Sequence, residues 1–229
     1  MRGMLDLGAI LKKLADADKP FTFSRWGDGE WRALLRKNKP GARNCDGHQF
    51  FPEMGNELRK VLIDKPPYLL GMQNFSKRLY GTAIDRFLTE NNLTDLKWVN
   101  ADVFHYGVIY GDRKGIVDTV KARKLLIVGP PHLKSLNKSG LPYWDYVPVA
   151  PRDCYLNLRD TFRQVVAKAE SQKDPLLISI SASMPAEILC DMLFKRFGDK
   201  HTIVDFGSLW DPLVGKLSRT YMKVQNDKS

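Results

Sequence analysis

Hydrophobic positions along this chain fall into two alternating rhythms. Short, nearly continuous apolar runs predict strands at Phe21 to Ser24, Tyr68 to Met72, Lys97 to Phe104, Lys124 to Gly129, Tyr146 to Ala150, Pro175 to Ser181 and His201 to Ser208. Between them, apolar residues three and four apart predict helices. The first carries Met4, Leu7, Ile10, Leu11 and Leu14 and stops before Pro20. A second starts near Glu30 with Trp31, Leu34 and Leu35; a third opens at Pro52 and carries Met54, Leu58, Val61 and Leu62. Further helices carry Leu79, Ile84, Phe87 and Leu88; then Ile116, Val117 and Val120; then Phe162, Val165 and Ala169; and last Ile188, Leu189, Met192 and Leu193.

Strands without polar alternation are buried on both faces, the condition of a parallel sheet covered by helices. Pro148 cannot donate to a ladder, which puts its strand at an edge. The expected fold class is α/β: a doubly wound, mainly parallel, Rossmann-like sheet flanked by helices. No repeat or linker divides the chain, so residues 1–229 read as one domain, with a basic tail expected to fray from about 218.

Composition narrows the setting. The chain is 43% hydrophobic and 10% aromatic, enough for a packed core. Cys45, Cys154 and Cys190 are widely spaced and odd in number, which argues against a zinc knuckle or a disulfide framework and for a reducing compartment. Lys12, Lys13 and Asp16 interrupt the first apolar stretch, and no run is long enough to span a bilayer, so a cytoplasmic location is expected. The net charge of +10 raises the question of polyanionic partners.

In an open parallel sheet, ligands bind beyond the C-terminal strand ends. The residues that follow the predicted strands are therefore the candidates: Arg25, Asp28 and Glu30; Gln73 and Asn74; Asp102 and His105; Gly129 to His132; Ser181 and Ser183; Asp205 and Ser208. Asp28 and Glu30, read as extended, would point the same way and offer hard oxygen donors to Mg²⁺ or Mn²⁺. Gly27 and Gly29 would let a ligand approach the backbone. Ser183 is expected to cap the following helix, whose start could receive a phosphate or serve only as a capped end. The polar loop Lys39 to Gln49 brings Arg43, Asn44, Asp46 and His48 within reach of a ligand. His48 and His201 read as surface or strand-edge residues, His105 and His132 as better site candidates. No Gly-x-Gly-x-x-Gly fingerprint follows Gly129, which disfavours a standard dinucleotide fold.

The segment Phe23-Ser24-Arg25-Trp26-Gly27-Asp28-Gly29-Glu30 resembles the Arg-aromatic-Gly-Asp-Gly-Glu segment of the GT-D-type glycosyltransferases, a group once catalogued as a domain of unknown function. Leu177 to Leu189 resembles that family's late strand-turn-helix, and Ile203 to Leu209 its closing Asp-aliphatic-Gly-His segment. Two departures stand out: Ser181-Ala182-Ser183-Met184 replaces a glycine-led junction, and Ser208 replaces a common histidine. The resemblance implies a metal-dependent transferase using a nucleotide-diphosphate sugar, with Asp28 and Glu30 serving the Mn²⁺ or Mg²⁺ ion and the donor. Arg25, Gly27, Gly29, Ser181, Ser183, Asp205 and Ser208 are the expected donor contacts. Asp102, His105 and Asp205 remain open as the base for the acceptor hydroxyl, and Asp205 could instead bind the nucleoside or tie the strand end.

Arg32, Arg36, Lys37, Lys39 and Arg43 follow the acidic motif closely and could line a path for a polyanion. A hydroxymethylated base in DNA is therefore one acceptor, and a surface glycan or glycoprotein the other. A non-enzymatic nucleic-acid-binding module and a metal-dependent phosphohydrolase are the competing functions. Oligomeric state is not legible.

Overall fold

The computed structural model describes residues 7–104, 113–218 and 222. In chain order the elements are α1 (Leu7–Ala15), β1 (Thr22–Trp26), α2 (Asp28–Leu34), α3 (Pro52–Ile63), β2 (Leu69–Met72), α4 (Asn74–Glu90), β3 (Trp98–Asn100), α5 (Arg113–Lys121), β4 (Leu125–Gly129), β5 (Asp145–Pro148), α6 (Leu158–Glu170), β6 (Leu177–Ile180), α7 (Ala186–Phe197) and β7 (Thr202–Asp205). Tight 3₁₀ segments at Pro131–Ser139, Cys154–Asn157 and Asp211–Val214 complete the path through the site.

The strands form one seven-stranded sheet in the order β3-β2-β1-β7-β6-β4-β5, and every pairing is parallel. The expected α/β, doubly wound sheet is therefore the fold. Side chains alternate between two cores as the pleat requires. Leu126, Val128, Ile178 and Ile180 pack under α2, α3, α4, α6 and α7, while Leu125, Ile127, Leu177 and Val204 pack under α1 and α5. Trp26 and Trp31 lie wholly in the first core, with ring centroids 5.7 Å apart. The buried Nε1 groups of Trp26 and Trp210 donate to Ser24 (3.1 Å) and Ser179 (2.9 Å), which explains two serines inside strands, whereas Trp31 Nε1 has no partner among the described residues. As Pro148 requires, β5 is an edge strand.

Several boundaries differ from the sequence reading. The strand expected over Lys97 to Phe104 ends at Asn100, whose side chain accepts the Asp102 N–H (2.9 Å) and turns the chain out of the sheet. His48 and His201 are buried, not exposed, because each accepts a backbone N–H at Nδ1, from Cys154 (3.3 Å) and Leu176 (3.1 Å). Burial pulls the His201 imidazole down to about 4. Of the tail, Ser218 and Met222 are described: Ser218 donates its hydroxyl to Asp211, and Met222 is buried in the core of Phe206 and Trp210; the rest of the expected fraying lies outside the described residues. Among the described residues no helix is long and apolar enough to cross a membrane.

The topology fixes where a ligand can enter. From β4 the chain proceeds to β5 at the edge, whereas from β6 it proceeds the other way to β7. Connections leaving neighbouring strands in opposite directions open a crevice between β4 and β6.

Candidate active site

Backbone ladders continue one residue past several strands, aligning Gly27 with Gln73 and Ser181 with Phe206 at one edge of the sheet. Gln73 N–H donates to Trp26 O (3.2 Å), and Phe206 N–H donates to Ile180 O (2.9 Å). Two cavities open along this edge. One, of about 130 Å³, is bordered by Arg25, Asp28, Glu30, Arg32, Arg43 and Gln73. The other, of about 300 Å³, lies at the β4–β6 crevice and includes His48, His132, Ser181, Ser208, Asp211 and Lys216 in its lining. Cys45, Asp46 and Ser183 form a wall common to both.

The helix containing the acidic pair begins at Asp28, so Asp28 and Glu30 are helical and not extended. Residues two apart in a helix point about 200° apart around its axis, so the shared aim expected from an extended backbone does not hold. Asp28 is exposed and has no hydrogen-bond partner among the described residues. Glu30 turns back instead, and its Oε2 accepts the Gly27 N–H (2.8 Å), half of a capping box. A Cβ on Gly27 would lie 2.7 Å from Gln73 Oε1 and 2.8 Å from Glu30 Oε2, so a larger residue would have to displace the ends of these two side chains.

Behind this helix lies a set of desolvated charges. Arg25 Nε donates to Asp205 Oδ2 (3.3 Å), and the Asp205 side chain is only 3% exposed. Gly207 makes room for the guanidinium: at φ +55°, an added Cβ would fall 1.9 Å from Arg25 Nη2. Its N–H donates to Asp205 Oδ1 (2.9 Å). Glu187, in the first turn of α7, is fully buried. Neither of its oxygens meets hydrogen-bond geometry, and burial pushes the neighbouring Asp205 carboxyl up, against the pull of Arg25 and the Gly207 N–H. Burial, then the nearby Glu30 and Asp205 charges, push the Glu187 carboxyl well above the ordinary range. Burial likewise pushes Glu30 up to about 7, against its backbone hydrogen bond and Arg25.

The remaining expected site residues are placed as follows. Gly29 packs on Met184, to which an added Cβ would come within 3.0 Å, and lines the smaller cavity. Ser183 is not a cap: α7 begins three residues later at Ala186, and Ser183 adopts a left-handed backbone at φ +52°. Its hydroxyl accepts from Asn44 Nδ2 (2.9 Å) and donates to Asp46 Oδ2 (3.3 Å), contacts that hold a conformation unfavourable for a residue with a Cβ. Ser181 lines the larger cavity with a buried hydroxyl that has no partner among the described residues. Asp102 Oδ2 accepts the Asn74 N–H (3.1 Å) and so caps α4. His105 lies outside the described residues. Arg32 and Arg43 reach the smaller cavity, but Arg36 turns away to Asn56 (2.7 Å).

Sequence reasoning missed Glu187 and Asp211 as site residues. Glu187 had a readable signal: it is a carboxylate in a helix apolar on nearly every side, flanked by Ala186, Ile188, Leu189 and Cys190, and such a helix is buried. Asp211 had none, because an aspartate before a proline is ordinary turn chemistry.

No family model and no curated protein matches the sequence. Among solved structures, one described as a new glycosyltransferase (DUF1792) from Streptococcus sanguinis superposes with a TM-score of 0.65 at 15% identity, over 92% of this chain and 83% of that one. Another, described as the highly conserved domain of unknown function 1792 with a distinct glycosyltransferase fold, gives 0.63 at 14% identity, over 91% and 79%. This chain therefore has the DUF1792 glycosyltransferase fold, the GT-D type.

Proposed function

We propose that the protein is a glycosyltransferase that moves a sugar from a nucleotide-diphosphate sugar to an acceptor hydroxyl. The observation that carries this is the exposed, unpartnered Asp28 beside Glu30 and Arg25, at a strand-to-helix junction of a fold shared with glycosyltransferases.

The residues fit a divalent ion that arrives with its substrate. Asp28 is the exposed carboxylate such an ion would meet, while Glu30, turned back onto the Gly27 N–H, borders the same cavity. One or two carboxylates plus substrate phosphates is the ordinary way of holding Mg²⁺, and Mn²⁺ takes similar oxygen ligands. When bound, the ion would neutralise charge developing on the departing diphosphate.

The chain's own groups do the rest. Arg25, fixed by Asp205, lines the cavity beside Asp28, where its guanidinium can meet an anionic group. Arg32 and Arg43 border the same space. The larger cavity is lined differently: Asp46 and Asp211 set two carboxylates against Lys216, with serines and apolar groups between. That lining suits a neutral, hydroxyl-bearing acceptor such as a glycan better than a DNA backbone.

The test is turnover with Mn²⁺ and a panel of UDP- and GDP-sugars, with neutral oligosaccharides and hydroxymethylated DNA as alternative acceptors. Acceptor-dependent release of nucleoside diphosphate is expected. Asp28→Ala should lower it by roughly 100-fold or more while leaving the melting temperature nearly unchanged, because the side chain is exposed. Equal turnover in the variant would remove the acidic pair from the chemistry.

A further inference from the structure

The carboxylates named so far leave the acceptor hydroxyl without a base: Asp205 is buried against Arg25, and Asp102 caps a helix. We propose that His132, held by Asp211, is the general base that takes the acceptor proton, and that the acceptor sits in the cavity at the β4–β6 crevice. This rests on the glycosyltransferase reading above.

The geometry of the ring assigns its role. His132 Nε2 lies 2.7 Å from Asp211 Oδ1, and Asp211 is 6% exposed, with its other oxygen taking the Ser218 hydroxyl. In the neutral imidazole, Nε2–H therefore donates to Asp211 and the lone pair is at Nδ1. The contact at Nδ1 assigns the same tautomer independently: Lys216 Nζ lies 3.2 Å away, and an ammonium can only donate. Lys216 is exposed, so an incoming hydroxyl can take its place at Nδ1. A histidine with one nitrogen fixed by a buried carboxylate and the other directed at a substrate is the arrangement general bases use.

The cavity carries independent marks of a ligand site. The Ser181 hydroxyl lines it and is buried without a partner among the described residues, while the residue itself is 8% exposed. Such a group gains a hydrogen bond when a ligand hydroxyl arrives. Ser183, held in its left-handed conformation, belongs to the wall between this cavity and the Asp28 cavity, so a donor in one and an acceptor in the other would meet there. Lys216 is the one lysine or arginine among the described lining residues, set against the carboxylates of Asp46 and Asp211, which disfavours a second phosphate in this space.

The step balances without a further reagent. The acceptor O–H bond breaks with its proton passing to His132 Nδ1, while the acceptor oxygen forms a bond to the anomeric carbon. The bond from that carbon to the phosphate oxygen breaks, its electron pair leaves with the nucleoside diphosphate, and His132 later loses the proton to solvent.

The experiment uses the full chain with Mn²⁺ and the UDP- and GDP-sugar panel, reading nucleoside diphosphate release and, by calorimetry, binding of UDP or GDP with Mn²⁺. His132→Gln and His132→Ala should lose about 100-fold or more in turnover. Both should bind the nucleoside diphosphate within about threefold of the parent, because the ring acts on the acceptor and not on the donor. Added imidazole should restore part of the His132→Ala turnover, which no packing role would permit. An active parent with His132→Gln within about threefold of it overturns the assignment alone. Loss of nucleotide binding in His132→Gln overturns it too, by giving the ring to the nucleoside. A parent that releases no nucleoside diphosphate from any donor overturns the glycosyltransferase reading and this base together.

Discussion

The Asp28 cavity and the His132 cavity share a wall at Cys45, Asp46 and Ser183, yet they are made of different chemistry. Around Asp28 the protein concentrates charge: Arg25, Asp205, Glu187 and Glu30 influence one another from buried or half-buried positions. Around His132 it places serine hydroxyls, an imidazole and apolar side chains, and its carboxylates each accept a serine hydroxyl. The difference follows from desolvation. A site for a diphosphate must hold ionisable groups away from water, and a buried ionisable group is either paired with an opposite charge or held neutral by a proton. A site for a hydroxyl needs only directed hydrogen bonds, which neutral groups supply at lower cost.

Arg25 is where the buried charges should matter most. Arg25→Ala leaves Asp205 and Glu187 buried without their guanidinium, so urea denaturation should show a loss of about 3–5 kcal/mol. A loss below about 1 kcal/mol would mean that protons, not Arg25, neutralise this region.

Glu30 comes next, through pH. Its carboxyl is raised to about 7 in the folded chain from 4.5, so between these values the folded state binds more protons than the unfolded one. Stability from this group is then fully present below pH 4.5 and is lost as pH rises through about 7, by up to about 3 kcal/mol. Glu30→Gln retains an acceptor for the Gly27 N–H and removes the titration. Urea midpoints measured from pH 5 to 8 should therefore fall less steeply in the variant, and parallel curves would show that Glu30 does not carry the dependence.

The smallest effect belongs to Asp102, outside both cavities. Asp102→Ala removes the carboxylate that receives the Asn74 N–H at the start of α4, with an expected cost of about 1 kcal/mol in urea denaturation. An unchanged midpoint would mean that water replaces the cap.

Much of this was written in the local pattern. The apolar runs at Lys124 to Gly129 and Pro175 to Ser181 became β4 and β6 nearly as bounded, because strands buried on both faces leave no polar alternation to confuse them. The loop residues Arg43, Asn44, Asp46 and His48 do reach the cavities, as their position after the acidic motif suggested. The direction of side chains was less legible. Asp28 and Glu30 diverge because helix α2 starts two residues earlier than its apolar pattern announces, and Ser183 lies three residues before its helix. Helix starts depend on capping geometry, which a period of apolar residues does not record.

By itself, the sequence determined the alternation of strands and helices, the parallel sheet and the position of the acidic motif at a strand-to-helix junction. All three follow from periodicity and from turn chemistry local to the chain. Tertiary structure alone decided that Glu187 is buried beside Asp205, that Gly207 yields its space to Arg25, and that Asp211 meets His132 across 79 residues. These are distances between segments far apart in the chain, set by strand order and by close packing, and no local pattern encodes them.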